Sequence, residues 1–329
     1  MSENPSVRAV AEQFFASESI ESAVLNNGRA VVTINSEENS SEVVEDLKKQ
    51  LLKIPDVRKA NVVFTSSRQN ASDNHWQIRG VKKIIAVASG KGGVGKSTTA
   101  VNIALALSRL NYTVALFDAD IYGPSVPTML GYEDMELTSY DGKTFEPFEI
   151  QNIQTMSIGT LIGRDTPLIW RAPKACGALQ QLLADVNWHN VDVMVIDMPP
   201  GTGDIQITLS QQVRLNGAVI VSTPQDIALI DAVKGVNMFK AVSVPILGIV
   251  ENMSYHICKN CGHKEHIFGN NGAYDTAQKM DIDFLGGIPL ELAIRFHADN
   301  GTPIVVDEPD SDSAKAYMAI SQKIADKLF

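Results

Sequence analysis

The stretch Gly90-Lys91-Gly92-Gly93-Val94-Gly95-Lys96-Ser97 restricts this chain more than any other feature of its sequence. It has the form G-x-x-x-x-G-K-S, follows the apolar run 84–88 and leads into the helical periodicity of 98–110. A glycine-rich turn between a buried strand and a helix lets backbone N–H groups converge where the helix also presents its unpaired N–H groups and positive dipole end. That point suits a phosphate. Lys96 supplies counter-charge for β- and γ-phosphate oxygens, and Ser97 a hydroxyl for magnesium.

The surrounding pattern says what kind of sheet carries the loop. Runs 84–88, 114–117, 193–196, 218–221 and 246–250 are uniformly apolar, without the period-two polarity of a half-exposed strand. Such strands are buried on both faces, and helical stretches alternate with them. The expected fold is α/β, a doubly wound, mostly parallel sheet covered by helices. Residues 311–329 place Ala314, Tyr317, Met318, Ile320, Ile324 and Leu328 near one helical face. Asp310, Asp312 and Asp326 offset the lysines there, so this helix is expected on the core rather than on a membrane.

Ahead of that domain, residues 1–65 read as a small α/β unit, with helical spacing at 7–15 and 41–52, strands at 29–34 and 60–64, and two or three strands in all. Residues 66–80 turn polar, beginning Ser66-Ser67-Arg68-Gln69-Asn70, and read as a linker, which leaves 81–329 as the main domain. Twenty-eight Lys and Arg against 38 Asp and Glu give a net charge of −10. That balance provides no global field for phosphate backbones or anionic lipid, so neither nucleic acid nor membrane is expected as a partner. No apolar run is long enough to span a bilayer, and the first residues lack a basic and apolar leader pattern. A cytoplasmic protein is expected. Its three cysteines, Cys176, Cys258 and Cys261, fit a reducing compartment rather than a disulfide framework.

Lys91, directly after the first glycine, is not needed by an ordinary phosphate loop. With it, K-G-G-x-G-K-S resembles the deviant Walker A motif of the ParA/MinD-type ATPases, a family that includes the nitrogenase iron protein. The resemblance implies a P-loop NTPase with ATP and Mg2+, in which Lys91 crosses a homodimer interface to the partner's phosphates. Asp118 and Asp120 end one apolar run and Asp197 another, at strand ends where open α/β sheets bind ligands. Asp197 resembles the Walker B acid, Asp120 the switch I aspartate that orients attacking water, and Asp118 a second contributor to the magnesium shell. Asp120-Ile121-Tyr122-Gly123-Pro124-Ser125 and Asp197-Met198-Pro199-Pro200-Gly201-Thr202-Gly203-Asp204 are similar to switch I and switch II of the Mrp/ApbC iron-sulfur carrier branch. Ser222-Thr223-Pro224-Gln225-Asp226 and Glu251-Asn252-Met253-Ser254 also fit it, with Asn252 resembling the residue that reads the base. The resemblance spans about 81–329. It implies a catalytic set of Lys91, Lys96 and Asp120, and a nucleotide-binding set of Gly90, Lys91, Gly92, Gly93, Val94, Gly95, Lys96, Ser97, Thr98, Asp118, Asp197 and Asn252. Residues 1–65 lack the Asp-Pro-Glu and Cys signatures of the small domain that often precedes this branch.

Cys258-Lys259-Asn260-Cys261-Gly262-His263 sets two thiols on a loop beyond a strand end. A C-x-x-C turn serves zinc, iron-sulfur clusters or a redox pair, and Gly262 with its polar neighbours argues against the helix that a redox pair opens. Two thiolates are half of a four-ligand set. Either His263 and His266 complete a zinc site within one chain, or a two-fold axis brings a second Cys258 and Cys261 for a bridging 4Fe-4S cluster. The resemblance implies the cluster. The expected function is then a homodimeric, slow ATPase that takes a cluster from donor proteins and delivers it to apo iron-sulfur proteins. The rival is a ParA/MinD-like regulatory or localisation ATPase with structural zinc. Cys176 is expected on a packed helical face.

Overall fold

The computed structural model describes residues 4–26, 29–34, 41–64, 75–76, 78–140, 144–161, 172–258 and 260–329. Of the expected linker, positions 66–74 and 77 lie outside these. The chain divides into two compact units, Met1–Asn74 and His75–Phe329.

In the first unit helix α1 (Pro5–Ala11) starts where the Asn4 side chain accepts the Ser6 and Val7 N–H groups, with Pro5 in the first turn. The helical spacing of 7–15 overran it, because beyond Ala11 the chain turns, with the Phe14 and Phe15 N–H groups both donating to the Ala11 carbonyl. Strands β1 (Ile20–Asn26) and β2 (Arg29–Ile34) pair antiparallel, helix α2 spans Ser41–Leu51, and β3 (Lys59–Phe64) runs parallel to β2. Val7, Ala11, Val32, Ile34, Leu47 and Leu51 form its dry centre.

The second unit opens with β4 (Val81–Ala88), α3 (Lys96–Arg109), β5 (Val114–Asp118), α4 (Val126–Leu130), β6 (Phe148–Ile150) and β7 (Ile153–Ser157). It continues through α5 (Ala172–Asp185), β8 (Val191–Asp197), α6 (Asp204–Gln212), β9 (Gly217–Ser222), α7 (Asp226–Ala241) and β10 (Ile246–Glu251). After the short strands β11 (His256–Ile257) and β12 (Lys264–Glu265) come α8 (Gly272–Met280), β13 (Phe284–Gly287), α9 (Leu292–Asp299), α10 (Ile304–Asp307) and α11 (Asp312–Leu328). Among the described residues eight strands form one sheet in the order β13-β10-β9-β4-β8-β5-β7-β6. Every pairing is parallel except that of β6 with β7. That exception is a hairpin whose two turn residues, Gln151 and Asn152, both have positive φ, the geometry that matches strand twist.

The doubly wound fold expected from the apolar runs is therefore present. Helices α3 and α11 pack on each other, and α7 and α8 pack on each other and against β10. Helix α11 begins at the Ser311 cap and buries Ala314, Tyr317, Ile320 and Ile324, the face its periodicity indicated. Because these strands run parallel, the carboxyl ends of β4, β5, β8, β9 and β10 come to one edge of the sheet.

Candidate functional site: a phosphate loop and a cysteine hairpin

At that edge the register sets the acids beside one another. Asp197 pairs with Val87 on one side and with Asp118 on the other. Lys96, the first residue of α3, reaches across to them: its Nζ lies 2.6 Å from Asp197 Oδ1, 3.1 Å from Ser97 Oγ and 3.7 Å from Asp120 Oδ2. One ammonium thus faces several carboxylates out of water. Burial pushes the Asp197 carboxyl up, against the pull of Lys96, and burial together with the Asp197 charge pushes Asp118 up to about 7. Among the described residues Asp197 Oδ2 is buried without a hydrogen-bond partner. An orphaned carboxylate oxygen near the Ser97 hydroxyl, in a site short of positive charge, fits a hydrated magnesium ion held by Asp197 and Ser97.

Asp118 has a different geometry. Its Oδ1 accepts the Asp120 N–H at 3.1 Å, and its Oδ2 accepts the Val126 N–H at 3.2 Å and the Ser157 hydroxyl at 2.9 Å. Both oxygens are engaged by protein donors, and together they brace the two ends of residues 120–126.

The loop is shaped by close approaches. A Cβ on Gly90 would fall 2.0 Å from the Asp231 carbonyl of α7, and one on Gly95, at φ +81°, 2.1 Å from Asn252 Nδ2. Asn252, just past β10, donates that nitrogen to the Val94 carbonyl at 2.8 Å. Helix α3 has no side-chain cap, so its first N–H groups are left for a ligand. Gly92, Gly93, Gly95, Lys96, Ser97, Thr98 and Asp120 line a cavity of about 220 Å³. Lys91, half-buried, is not among its lining residues. A second cavity, of about 390 Å³, shares Gly95 and Thr98 with the first and is walled by Asn252, Met253, Pro289, Leu290, Glu291 and Ile294.

Cys258 and Cys261 lie on the connection between β11 and β12. His256 pairs with Glu265 and Ile257 with Lys264, the Cys258 N–H donates to the His263 carbonyl at 2.9 Å, and the Gly262 N–H donates to the Cys258 carbonyl at 2.8 Å. Gly262 takes φ +71° to close this turn. Cys258 is half-buried and Cys261 exposed. The backbone N–H groups of Cys261 and Asn260 aim at the Cys258 sulfur and hold its thiol below the ordinary range, favouring the thiolate that binds metal. Among the described residues no three His, Cys, Asp or Glu side chains gather as a metal site, so Cys258, Cys261, His263 and His266 do not converge within one chain. Cys176 is buried on α5.

The loop, the three aspartates and Asn252 come together at one edge, as their strand-end positions indicated. Several members were missed. Ser89 bonds the Lys91 carbonyl through its hydroxyl and accepts the Gly201 N–H on its own carbonyl, tying the phosphate loop to residues 198–204. Ser157 and the wall at 289–294 were missed too. Only Pro289, after Gly286-Gly287, marked the end of a strand there.

Comparisons with known proteins show the family and the fold. A ParA family model, described as NUBPL iron-transfer P-loop NTPase, matches residues 80–325. The iron-sulfur cluster carrier protein of Salmonella typhimurium is 54% identical over 256 residues, 78% of this chain and 69% of its own length. The iron-sulfur cluster transfer protein NUBPL of Dictyostelium discoideum is 53% identical over 253 residues, 76% of this chain and 78% of its own. Among solved structures, a nucleotide-binding protein from Archaeoglobus fulgidus in complex with ADP superimposes with a TM-score of 0.65 at 35% identity, covering 75% of this chain and 97% of that one. The MinD cell-division ATPase of Pyrococcus furiosus, at 24% identity and a TM-score of 0.57, covers 74% and 98% and shares the fold. With its phosphate loop, strand-end acids and matched length, the chain belongs to the NUBPL iron-transfer P-loop NTPase family.

Proposed function

We propose that the protein is an ATP-hydrolysing iron-sulfur carrier, in which Cys258 and Cys261 of two copies hold a bridging 4Fe-4S cluster that is passed to apo-proteins. The observation that carries this reading is the cysteine hairpin. Two accessible thiols, one biased toward thiolate by backbone N–H groups, sit on the turn between the two paired strands that follow the nucleotide-side residue Asn252. The printed names of the relatives support an iron-sulfur cargo. A pair of thiols supplies half of a cluster's ligands, and a two-fold axis supplies the rest.

In the same reading ATP is the substrate of the phosphate loop. The N–H groups of residues 92–97 hold its phosphates, and Lys96 leaves Asp197 to lie against the β- and γ-oxygens. Bound magnesium would neutralise charge building on those oxygens, held by Ser97 and through the free oxygen of Asp197. Asp120, 3.7 Å from Lys96, orients the attacking water. Lys91 reaches the nucleotide of the partner subunit, so hydrolysis reports on assembly and acts as a slow conformational switch. The cytoplasm is the compartment that suits free thiols.

Anaerobic reconstitution with iron and sulfide, followed by metal analysis, tests the proposal. Bound iron and sulfide that disappear in Cys258→Ala and in Cys261→Ala, with ATP still bound, is the expected result. Tightly held zinc with no iron, lost on His263→Ala or His266→Ala, would favour a regulatory ATPase instead.

A further inference from the structure

Residues 288–290 are zipped to residues 251–256. The Ile288 N–H donates to the Glu251 carbonyl at 2.9 Å, the Ser254 N–H to the Ile288 carbonyl at 2.9 Å, and the Leu290 N–H to the Tyr255 carbonyl at 2.7 Å. A side chain closes the zipper: His256 Nδ1 lies 3.0 Å from the Leu290 carbonyl. Since a carbonyl only accepts, that ring carries its proton on Nδ1. Both segments of the zipper contribute wall to the 390 Å³ cavity, Asn252 and Met253 from one and Pro289 and Leu290 from the other. The first segment continues through His256 and Ile257 directly into Cys258.

The hairpin is tied down at both strands. His266 Nδ1 lies 3.0 Å from the Ser254 carbonyl, and the Lys264 ammonium sits 3.6 Å from the centre of the Tyr255 ring. Ser254 in turn donates its hydroxyl to buried Glu251 at 2.5 Å. Between these fixed points Met253 has φ +56°, a left-handed conformation that costs an ordinary side chain energy and that a rearranged loop would release. A ligand shifts such an element only if it contacts the two arrangements differently, and Met253 is itself a cavity wall.

We propose that His256 is a positioning residue that locks the cysteine hairpin to the wall of the nucleotide-side cavity, so that a nucleotide filling the cavity alters the exposure of Cys258 and Cys261. The proposal rests on the reading that a nucleoside phosphate occupies the loop and this cavity; it needs no cluster for its test.

The full chain carrying Cys176→Ala, so that only the pair reports, is labelled with N-ethylmaleimide with and without Mg-ADP. Labelling is done at a concentration where sedimentation shows the same assembly state in both. Mg-ADP is expected to change the labelling rate by about 5-fold or more, within the usual range of coupling between sites. His256→Ala should still bind ADP by equilibrium dialysis, while the change falls below about 2-fold. His256→Asn, whose amide reaches the same carbonyl, should restore it. His256→Phe keeps the ring without the donor and serves if the alanine variant folds poorly. An ADP effect that survives in His256→Ala and His256→Phe, or that is missing from the unsubstituted protein while ADP binds, overturns the proposal. Failure to bind ADP at all overturns the nucleotide-site reading and this inference with it.

Discussion

Lys96 and Asp197 show how one residue pair serves both folding and chemistry. Asp197 is fully buried and its cation is 2.6 Å away, so removing Lys96 strands a carboxylate in a low-dielectric interior. Lys96→Ala should lower unfolding free energy by about 3–5 kcal/mol in urea titrations, the usual cost of breaking one side of a buried pair. It should also slow phosphate release about 10²-fold or more, because the developing phosphate charge loses its preorganised partner. Unchanged turnover would remove Lys96 from the site. Asp118 adds a pH signature. Its folded-state pKa, pushed up to about 7, stands above the ordinary carboxylate value of 3.8, so between those values the folded state holds a proton that the unfolded chain has released. This contribution is complete below about 4 and is lost as pH rises through about 7, at no more than about 1.4 kcal/mol per pH unit. Asp118→Asn should flatten that fall in stability; an identical pH profile would contradict the assignment. Motif and spacing made Lys96, Ser97 and the three aspartates legible in the sequence. The brace formed by Asp118 and the contribution of Ser157 were not, because both depend on the β5–β7 register, in which Asp118 faces Ser157.

For the elements, what matters is how closely backbones approach. Gly90 packs on the α7 backbone, whereas a Cβ on Gly92 would meet nothing within 4 Å. Gly90→Ala should therefore destabilise the larger unit by several kcal/mol in thermal or urea unfolding, in the range of overpacked sites. Gly92→Ala should fold normally. Equal loss in both would mean that the loop is set differently against α7. The long buried strands were legible because nothing polar interrupts them. Strand β7 was not: Ile153-Gln154-Thr155-Met156-Ser157 is fully buried yet carries three polar side chains. Their partners are distant in sequence, since Gln154 exchanges hydrogen bonds with the His189 backbone and Ser157 bonds Asp118. Strands β6 and β13 are only three and four residues long, too short for a pattern to register. The cysteine loop was foreseen as a loop, but its closure into a hairpin depends on two β11–β12 pairs that leave no periodicity in so short a segment.

At the scale of the molecule, one chain carries a phosphate-loop cavity with the extra lysine outside its lining, and a pair of thiols that amounts to half of a four-thiolate set. In the proposed function each is completed by a second copy, a requirement carried in the sequence only by the resemblance of residues 90–97 and of the segments after Asp120 and Asp197. Lys91→Ala should leave ADP affinity of the isolated chain nearly unchanged while weakening ATP-dependent association in sedimentation runs; association equal to that of the unsubstituted protein would make Lys91 an ordinary surface lysine. The central claim, a cluster shared between two copies, is tested most directly by native mass spectrometry of anaerobically reconstituted protein in which unsubstituted chains are mixed with chains carrying Cys258→Ala and Cys261→Ala. The account predicts a 4Fe-4S cluster only on pairs of unsubstituted chains, with mixed pairs lacking it. A cluster held at full stoichiometry by single chains or by mixed pairs would contradict it.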